Sequence, residues 1–595
     1  MFTGEVLPIR RHTKLLLLTG LFAILGVCVF SFVYARYVVY ARYDSAIVFS
    51  HPSGYYAEPF DLKIQTGGAY AIYYTLDGSE PTVHSQRYDS GAGIHLEDVS
   101  GKENVYSART DLSTGYDTEL VNQYSEQNYG YAAPEFPVDK CSVVRAASFD
   151  RDGNALASMT GVYFIGFQNK PMYRDLYTVS ITADPDGLFG YEEGILVTGK
   201  TFDDYVEASR TQDGVVFTGK DAPNWWWWPA NYRNTGEKWE RKAHIAVFDQ
   251  SRQLVLDQDC GIRVHGGGSR GYAQKSIRCI ARREYSGMDT FPVTWFGEGI
   301  TPSKFVLFSG GDDSIFKMRD CIAQELAKDL NFATMEFIPC CVFINGEFWG
   351  FYFITENYNE NFISDHYGVK EDNVIMVKDG EASGAAGGIN LYWEMCRFIS
   401  EYDMTEESNY RLASEMIDMD SCIDYYAFQI YYARKVDWPG GNKAFWRTSE
   451  PENSLYGDCR WRWMLFDLNS GGAKEDALED DSLAYVLERD ALFRSLFQNR
   501  QFRRAFSERI LEIGNTVLDR KTCADFIDGF DATFREPIRQ NSLRFFNDGK
   551  QQEYEAYLDG MRLFFAERYE IVVQFLSAHL AEYGESIPDF LPSQP

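Results

Sequence analysis

The chain has 595 residues, 45% hydrophobic and 16% aromatic, which is too long for one core and apolar enough for two or three domains. Acidic residues outnumber basic ones by 87 to 57, giving a formal net charge of -30, and this excludes general nucleic-acid binding, which needs a basic footprint. The 11 cysteines show no CxxC spacing, so disulfides are permitted but no thiolate metal motif is legible.

In chain order, a short basic tail (1–14, with Arg10, Arg11 and Lys14) precedes an uncharged stretch from Leu15 to Tyr34. As a helix it spans the bilayer core, whereas the apolar part of a cleaved signal peptide is shorter, about 7 to 15 residues. The expectation is therefore a single-pass anchor over 15–35. The charge flanks place the N-terminus inside and the bulk outside.

Residues 46–166 alternate short apolar strands with turns and read as a small β-sandwich. Its phrases YYTLDGSEPT (Tyr73 to Thr82) and VVRAASFDRDGN (Val143 to Asn154) resemble the immunoglobulin-like module at the C-terminus of chitobiases. Between them, residues 99–137 are polar and rich in Tyr, Ser and Asp, and read as a long inserted loop. Gly166 to Pro171 reads as a linker. Beyond it, Leu176 to Thr182 and Gly194 to Gly199 are strand candidates. The turn Asp184 to Gly187 between them is read as an ordinary turn rather than a calcium site. Trp225 to Trp228 form a tryptophan run, either an aromatic platform or a packing surface.

Gly261 to His265 then reads as a strand that enters the turn Gly266-Gly-Gly-Ser-Arg-Gly and returns through Lys275 to Arg278. Between Arg263 and Arg283 there are six basic residues and no carboxylate. In so acidic a chain this patch calls for an anion. Gly267, Gly268, Ser269 and Arg270 are the candidate phosphate-facing residues, with Lys275 as a point charge. A helix is expected over 315–329 with Asp313 as N-cap, followed by a hairpin with an Asn345-Gly346 turn, Cys340 and Cys341 being buried hydrophobes in its first strand. Glu356 ends the hairpin and is either the partner of Lys275 or a solvated carboxylate. Residues 389–434 and 482–583 read as amphipathic helices.

The last hairpin, Lys443 to Thr448 and Arg460 to Phe466, places Asn442 and Asp467 at its open end with Asp437 just upstream. Two carboxylates and an amide oxygen suit a hard cation such as Mg²⁺; the bland alternative is a hairpin with polar ends. Protein kinases use this order of parts.

Gly261 to Arg278, Phe348 to Glu356, DWPGGNKAFWR and WRWMLFDLNSG together resemble the CotH family, atypical protein kinases of secreted or surface-attached location first associated with spore coats. The resemblance implies an α+β, kinase-like two-lobed domain over 172–583. The implied activity is transfer of the ATP γ-phosphate to Ser or Thr of extracytoplasmic proteins with Mg²⁺ or Mn²⁺. It also implies Lys275 with Glu356 on phosphate, Asp437 as catalytic aspartate, and Asn442 and Asp467 as metal ligands. Two departures, Gly441 for a common Asn and Asn469 for a common Asp, keep open a catalytically weak scaffold, with cell-wall glycan as a further candidate partner.

Overall fold

In the computed structural model, residues 46–589 are described apart from 69 and 213. The expected anchor at 15–35 lies outside them, and among the described residues no helix is long and apolar enough to cross a membrane. The fold is mixed α+β, with a β-rich N-terminal region and a helical C-terminal region.

The sandwich is present. Its main sheet has five strands in the order Gly54–Tyr56, Ala155–Ile165, Ser142–Phe149, Ala71–Thr75 and Gln86–Arg87. Two short strand pairs cover it, closing a core of Leu62, Ile64, Ile94, Val144 and Tyr163. The expected linker is not free. Phe167 is fully buried, Lys170 pairs with Asp139, and Phe164 meets Phe343 and Phe248 at centroid distances of 5.1 and 5.6 Å, so the sandwich is fused to the next domain.

That next domain is built on a closed seven-stranded barrel: β1 (Tyr177–Ala183), β2 (Arg241–Phe248), β3 (Leu254–His265), β4 (Ser276–Ile280), β5 (Lys304–Phe308), β6 (Phe337–Ile344) and β7 (Glu347–Thr355). Neighbours run β1-β2-β3-β4-β5-β7-β6, and β6 returns parallel to β1. Strand alternation sends Val179, Ile181, Ile245, Ile262, Ile277, Cys279, Leu307 and Val342 into one apolar core. The β6–β7 hairpin turns at Asn345 and Gly346, both at positive φ (46° and 88°), as a two-residue loop between right-twisted strands requires.

Two expected elements take other forms. Gly194 to Gly199 is a buried turn rather than a strand: Ile195 and Leu196 donate to Gly187 and Leu188 while their side chains fill the barrel core. The helix expected from Ile315 runs from Arg319 to Ala327, because Lys317 sits at φ 64° and breaks the helical path. Asp313 nevertheless accepts the Arg319 N–H at 3.0 Å and its guanidinium at 2.7 Å.

Residues 99–137, expected as a loop, pack against the barrel. Glu347, 4% exposed, accepts the backbone N–H groups of Val105, Tyr106 and Ser107 at 2.7, 3.1 and 2.7 Å. Ser113 Oγ donates to Gly271 O at 2.5 Å, and the Tyr131 ring stacks on Phe546. The tryptophan run is mainly packing: Trp225 and Trp228 are buried against this segment and the barrel, while Trp227 is 42% exposed.

The C-terminal region adds a small sheet of β8 (Val374–Lys378), β9 (Glu381–Gly384), β10 (Ala444–Thr448) and β11 (Arg462–Met464), in the order β9-β8-β10-β11. Helices including Met419–Tyr431, Arg500–Asn515, Arg520–Phe546 and Gln551–Ala581 surround it and share one apolar cluster. The ten described cysteines are all free thiols.

Candidate active site

The β10–β11 hairpin forms as expected, with Ala444 opposite Met464. Asn442 precedes the first strand by two residues and Asp467 follows the second by three, so the register puts both at the open end. Asp437 lies at the start of a tight turn in which its carbonyl accepts the Gly441 N–H at 2.5 Å. All three residues are left-handed, with φ of 59° at Asp437, 51° at Asn442 and 63° at Asp467. Asn and Asp are the non-glycine residues that enter this region most readily, so the three side chains are aimed from tight turns at little cost.

Asn469, expected as a lost acidic ligand, donates from Nδ2 to Asp467 Oδ1 at 2.9 Å. Its amide lies against Gly311, whose φ of 55° and lack of a side chain are both required: a Cβ there would stand 2.6 Å from Asn469 Nδ2. The loop Ser309 to Asp313 thereby reaches the hairpin exit.

Carboxylates gather here. The Asp312 carboxyl accepts the Tyr272 hydroxyl, and burial together with the charges of Asp467 and Asp437 raises its pKa. Asp320, on the short helix, is buried and pushed up to about 7 by that burial and by Asp467. Two cations face them. Lys378 Nζ lies 4.0 Å from the centre of the Phe466 ring, its pKa lowered by burial although Asp467 and Asp379 oppose the shift. Arg434 is buried, donates to Ser470 O, and keeps an NH2 group without a partner among the described residues.

Across from this cluster, the basic run is partly neutralised by a residue outside it. Glu240 bonds Arg263 Nε at 2.9 Å and Arg282 through Nε and NH2 at 2.9 and 2.7 Å. Asp289 takes Arg283 at 2.5 Å. Arg270 and Arg278 have no carboxylate among the described residues. Arg270 donates to Gly266 O at 2.6 Å, and burial, with Arg233 and Arg278 nearby, lowers its pKa to about 10. Arg278 donates to His265 Nδ1 at 2.7 Å and leaves a buried Nε unpartnered among the described residues. His265 is held neutral by burial and by the charges of Arg278, Lys378 and Arg270.

The expected Lys275–Glu356 pair does not form. Lys275 has the parity of Ile277 and Cys279, so alternation turns it away from the cleft; it is 2% exposed, donates to Leu112 O and Tyr272 O at 2.6 Å each, and lies over the Tyr232 ring. Burial pushes its pKa well down. Glu356 accepts the Glu336 N–H at 3.1 Å and pairs with His366 Nε2 at 2.5 Å. Arg278 has the opposite parity: it lines a pocket with Arg263, Arg270 and Trp239, and its charge reaches Lys378. The turn glycines have structural duties too: Gly266 is at φ 107°, and a Cβ on Gly271 or Gly268 would come within 2.4 Å of Trp226 O or 3.1 Å of Trp226 Cδ1. Gly267 and Ser269 remain on the turn beside Arg270, with Gly267 exposed.

Residues 262–572, more than half of the chain, match the family model of the CotH kinase protein. The chain belongs to the CotH family. Residues 51–160 match the chitobiase/beta-hexosaminidase C-terminal domain. No curated protein matches the chain. The CotH match begins within β3, and β1 and β2, which precede it, complete the same barrel. It takes in the glycine turn, Arg278, Asp437, Asn442 and Asp467.

Among the described residues no three His, Cys, Asp or Glu side chains converge to hold a metal by themselves. The donor set at the hairpin exit nevertheless fits a hard cation of the Mg²⁺ type, which takes one or two carboxylates and completes its shell with water and phosphate. The Asn442 amide fits as well: its Nδ2 is buried and unpartnered among the described residues, so no hydrogen bond fixes the orientation of the carboxamide. The residues that sequence reasoning missed are Arg278 as the cleft cation, Lys378, Arg434, Asp312 and Asp320. Parity relative to Ile277 was the signal available for Arg278; the others come from elements distant in sequence.

Proposed function

We propose that this CotH protein is an atypical protein kinase that transfers the ATP γ-phosphate to Ser or Thr of extracytoplasmic proteins. The observation that carries the reading is the trio Asp437, Asn442 and Asp467, each held left-handed at the exit of one hairpin and faced by cations that lack carboxylate partners. A surface that converges acids, sets Lys378 and Arg434 beside them and has Arg270 and Arg278 within reach of Lys378 through His265 suits a bound polyanion and a cation.

In this reading Asn442 and Asp467 hold Mg²⁺ or Mn²⁺, and Asn469 fixes the orientation of the Asp467 carboxylate. A divalent cation supplies charge neutralisation for phosphate oxygens. Arg278 and Arg270, with the backbone at Gly267, Gly268 and Ser269, bind the phosphates in the role first expected of Lys275. Asp437 accepts the proton of the acceptor hydroxyl as the new O–P bond forms and the bond to the ADP oxygen breaks. Such catalysis is positioning and electrostatics, and a water-poor cleft strengthens both. The anchor at 15–35 and the outward orientation of the bulk belong to the same proposal and rest on the sequence.

The test is incubation of the purified chain with γ-labelled ATP and Mg²⁺ or Mn²⁺, with generic protein acceptors, beside Asp437→Ala and Asp467→Ala. Label on Ser or Thr that disappears in both variants is expected. Nucleotide binding with no transfer under either metal would replace the kinase by a nucleotide-binding scaffold.

A further inference from the structure

Beside the Asp437 turn lies a cavity of about 340 Å³. One wall is Gly440 and Gly441, the last two of the four residues between Asp437 and Asn442. Neither glycine is in the left-handed region, and a Cβ on Gly440 would meet nothing within 4 Å, so backbone conformation does not demand glycine at 440. What their bareness provides is space. The floor is apolar, from Tyr392, Phe445 and Leu492, which are 7%, 2% and 7% exposed. At the rim the Trp393 indole stands 55% exposed beside the Asp379–Gly380 turn.

The charges lining this groove are already satisfied. Lys443 Nζ pairs with Asp490 at 3.0 Å, and Asp490 also accepts the Tyr426 hydroxyl at 2.8 Å. Asp379 accepts the Lys443 N–H at 3.2 Å, and Arg489 lies over the Tyr485 ring while bonding Glu488. Two lysine or arginine charges balance two aspartates, in a protein whose net charge is -30. The groove is therefore a locally neutral, apolar slot with an exposed aromatic at its mouth. Such a slot selects apolar side chains.

The cavity begins at the bare backbone of Gly440 and Gly441, which gives a polypeptide presenting a hydroxyl to Asp437 an open path into it. We propose that this groove seats the acceptor polypeptide and selects an aromatic or long aliphatic side chain a few residues from the phosphorylated Ser or Thr. This rests on the kinase reading and adds the acceptor class to it. Trp393 is the rim contact, Tyr392, Phe445 and Leu492 the floor, and Gly440–Gly441 the wall that admits the acceptor backbone.

The test compares two synthetic acceptors, one Ser peptide flanked by Leu and Phe and one flanked only by Gly, on the full chain, Trp393→Ala and Ser400→Trp. Ser400 is exposed and also lines the groove, so its enlargement fills the slot without touching the Asp437 turn. The expected result is that the parent prefers the apolar peptide in kcat/KM and that each variant cuts this preference about tenfold, the worth of one partly buried aromatic contact. Variants that keep the parent preference would overturn the groove assignment. If the parent phosphorylates neither peptide, the kinase reading fails separately, and fluorescence anisotropy of the same labelled peptides decides the groove. Apolar-selective binding that both variants lose would retain it as a peptide site; equal binding of the two peptides would sink it.

Discussion

Exchanging Lys275 and Arg278 for Met, one at a time, separates a structural lysine from a ligand-facing arginine. Lys275 Nζ donates two bonds of 2.6 Å, to Leu112 O and Tyr272 O, and so ties residues 99–137 to the start of β4. Bonds from a charged donor contribute about 1.5–3 kcal/mol each, but burial already depresses the lysine's pKa, and Met removes that desolvation cost. The expected net loss for Lys275→Met is about 1–3 kcal/mol, read as a lower melting temperature, with nucleotide affinity changed by less than about threefold. Arg278 is half-buried, and among the described residues its side chain bonds only the neutral His265. Removing it should shift stability by less than about 1 kcal/mol while weakening nucleotide binding at least about tenfold, the worth of one guanidinium–phosphate bond. The assays are thermal unfolding and titration with a fluorescent ATP analogue in the presence of Mn²⁺. If Lys275→Met abolishes binding in a protein that melts normally, and Arg278→Met binds as the parent does, the parity argument is wrong and Lys275 turns into the cleft in the working protein.

Two further outcomes test how the domains are joined and how the acidic cluster titrates. Glu347→Gln replaces three carboxylate bonds to the N–H groups of Val105, Tyr106 and Ser107 by at most one amide oxygen. A loss on the order of 2–4 kcal/mol in the docking of this segment is expected, read as faster amide exchange across 99–137, and unchanged exchange would show that the segment is held by its other contacts without Glu347. Asp320 has a folded pKa of about 7 against an unfolded value near 4, so the native state holds the extra proton between these pH values and stability falls as pH rises through them. In metal-free buffer Asp320→Asn should therefore melt above the parent at pH 8 and lose that advantage progressively as pH falls to about 4; an advantage that does not change with pH would refute the assignment.

What was legible in the sequence was whatever depends on local chemistry. The Asn345-Gly346 turn, the sandwich phrases and the hairpin from Ala444 to Met464 rest on turn residues and short strands, which act within a few positions of themselves. Residues 99–137 were misread because polar, tyrosine-rich composition is also what an amphipathic strap needs: Ser113 and the backbone at Val105 meet partners more than a hundred residues away. Lys275 was misread for a different reason. In β4 both faces are covered, with only Arg278 partly exposed, so no alternation of polarity marks which side faces the cleft until the barrel's inner residues are known.

Asn469 depends on its surroundings most of all. By residue type it is a missing carboxylate, and so an argument for a weakened metal site. In place, it donates to Asp467, and Gly311 leaves it just enough room to do so. An Asp at 469 would instead add a fifth acid beside Asp312, Asp320, Asp437 and Asp467, where burial and the charge of Asp467 already raise the pKa values of Asp312 and Asp320. The amide gives Asp467 a fixed orientation without that repulsion. A departure that reads from sequence as decay thus has, in this setting, a positioning function, because the neighbours of a residue decide whether a lost charge is a lost ligand.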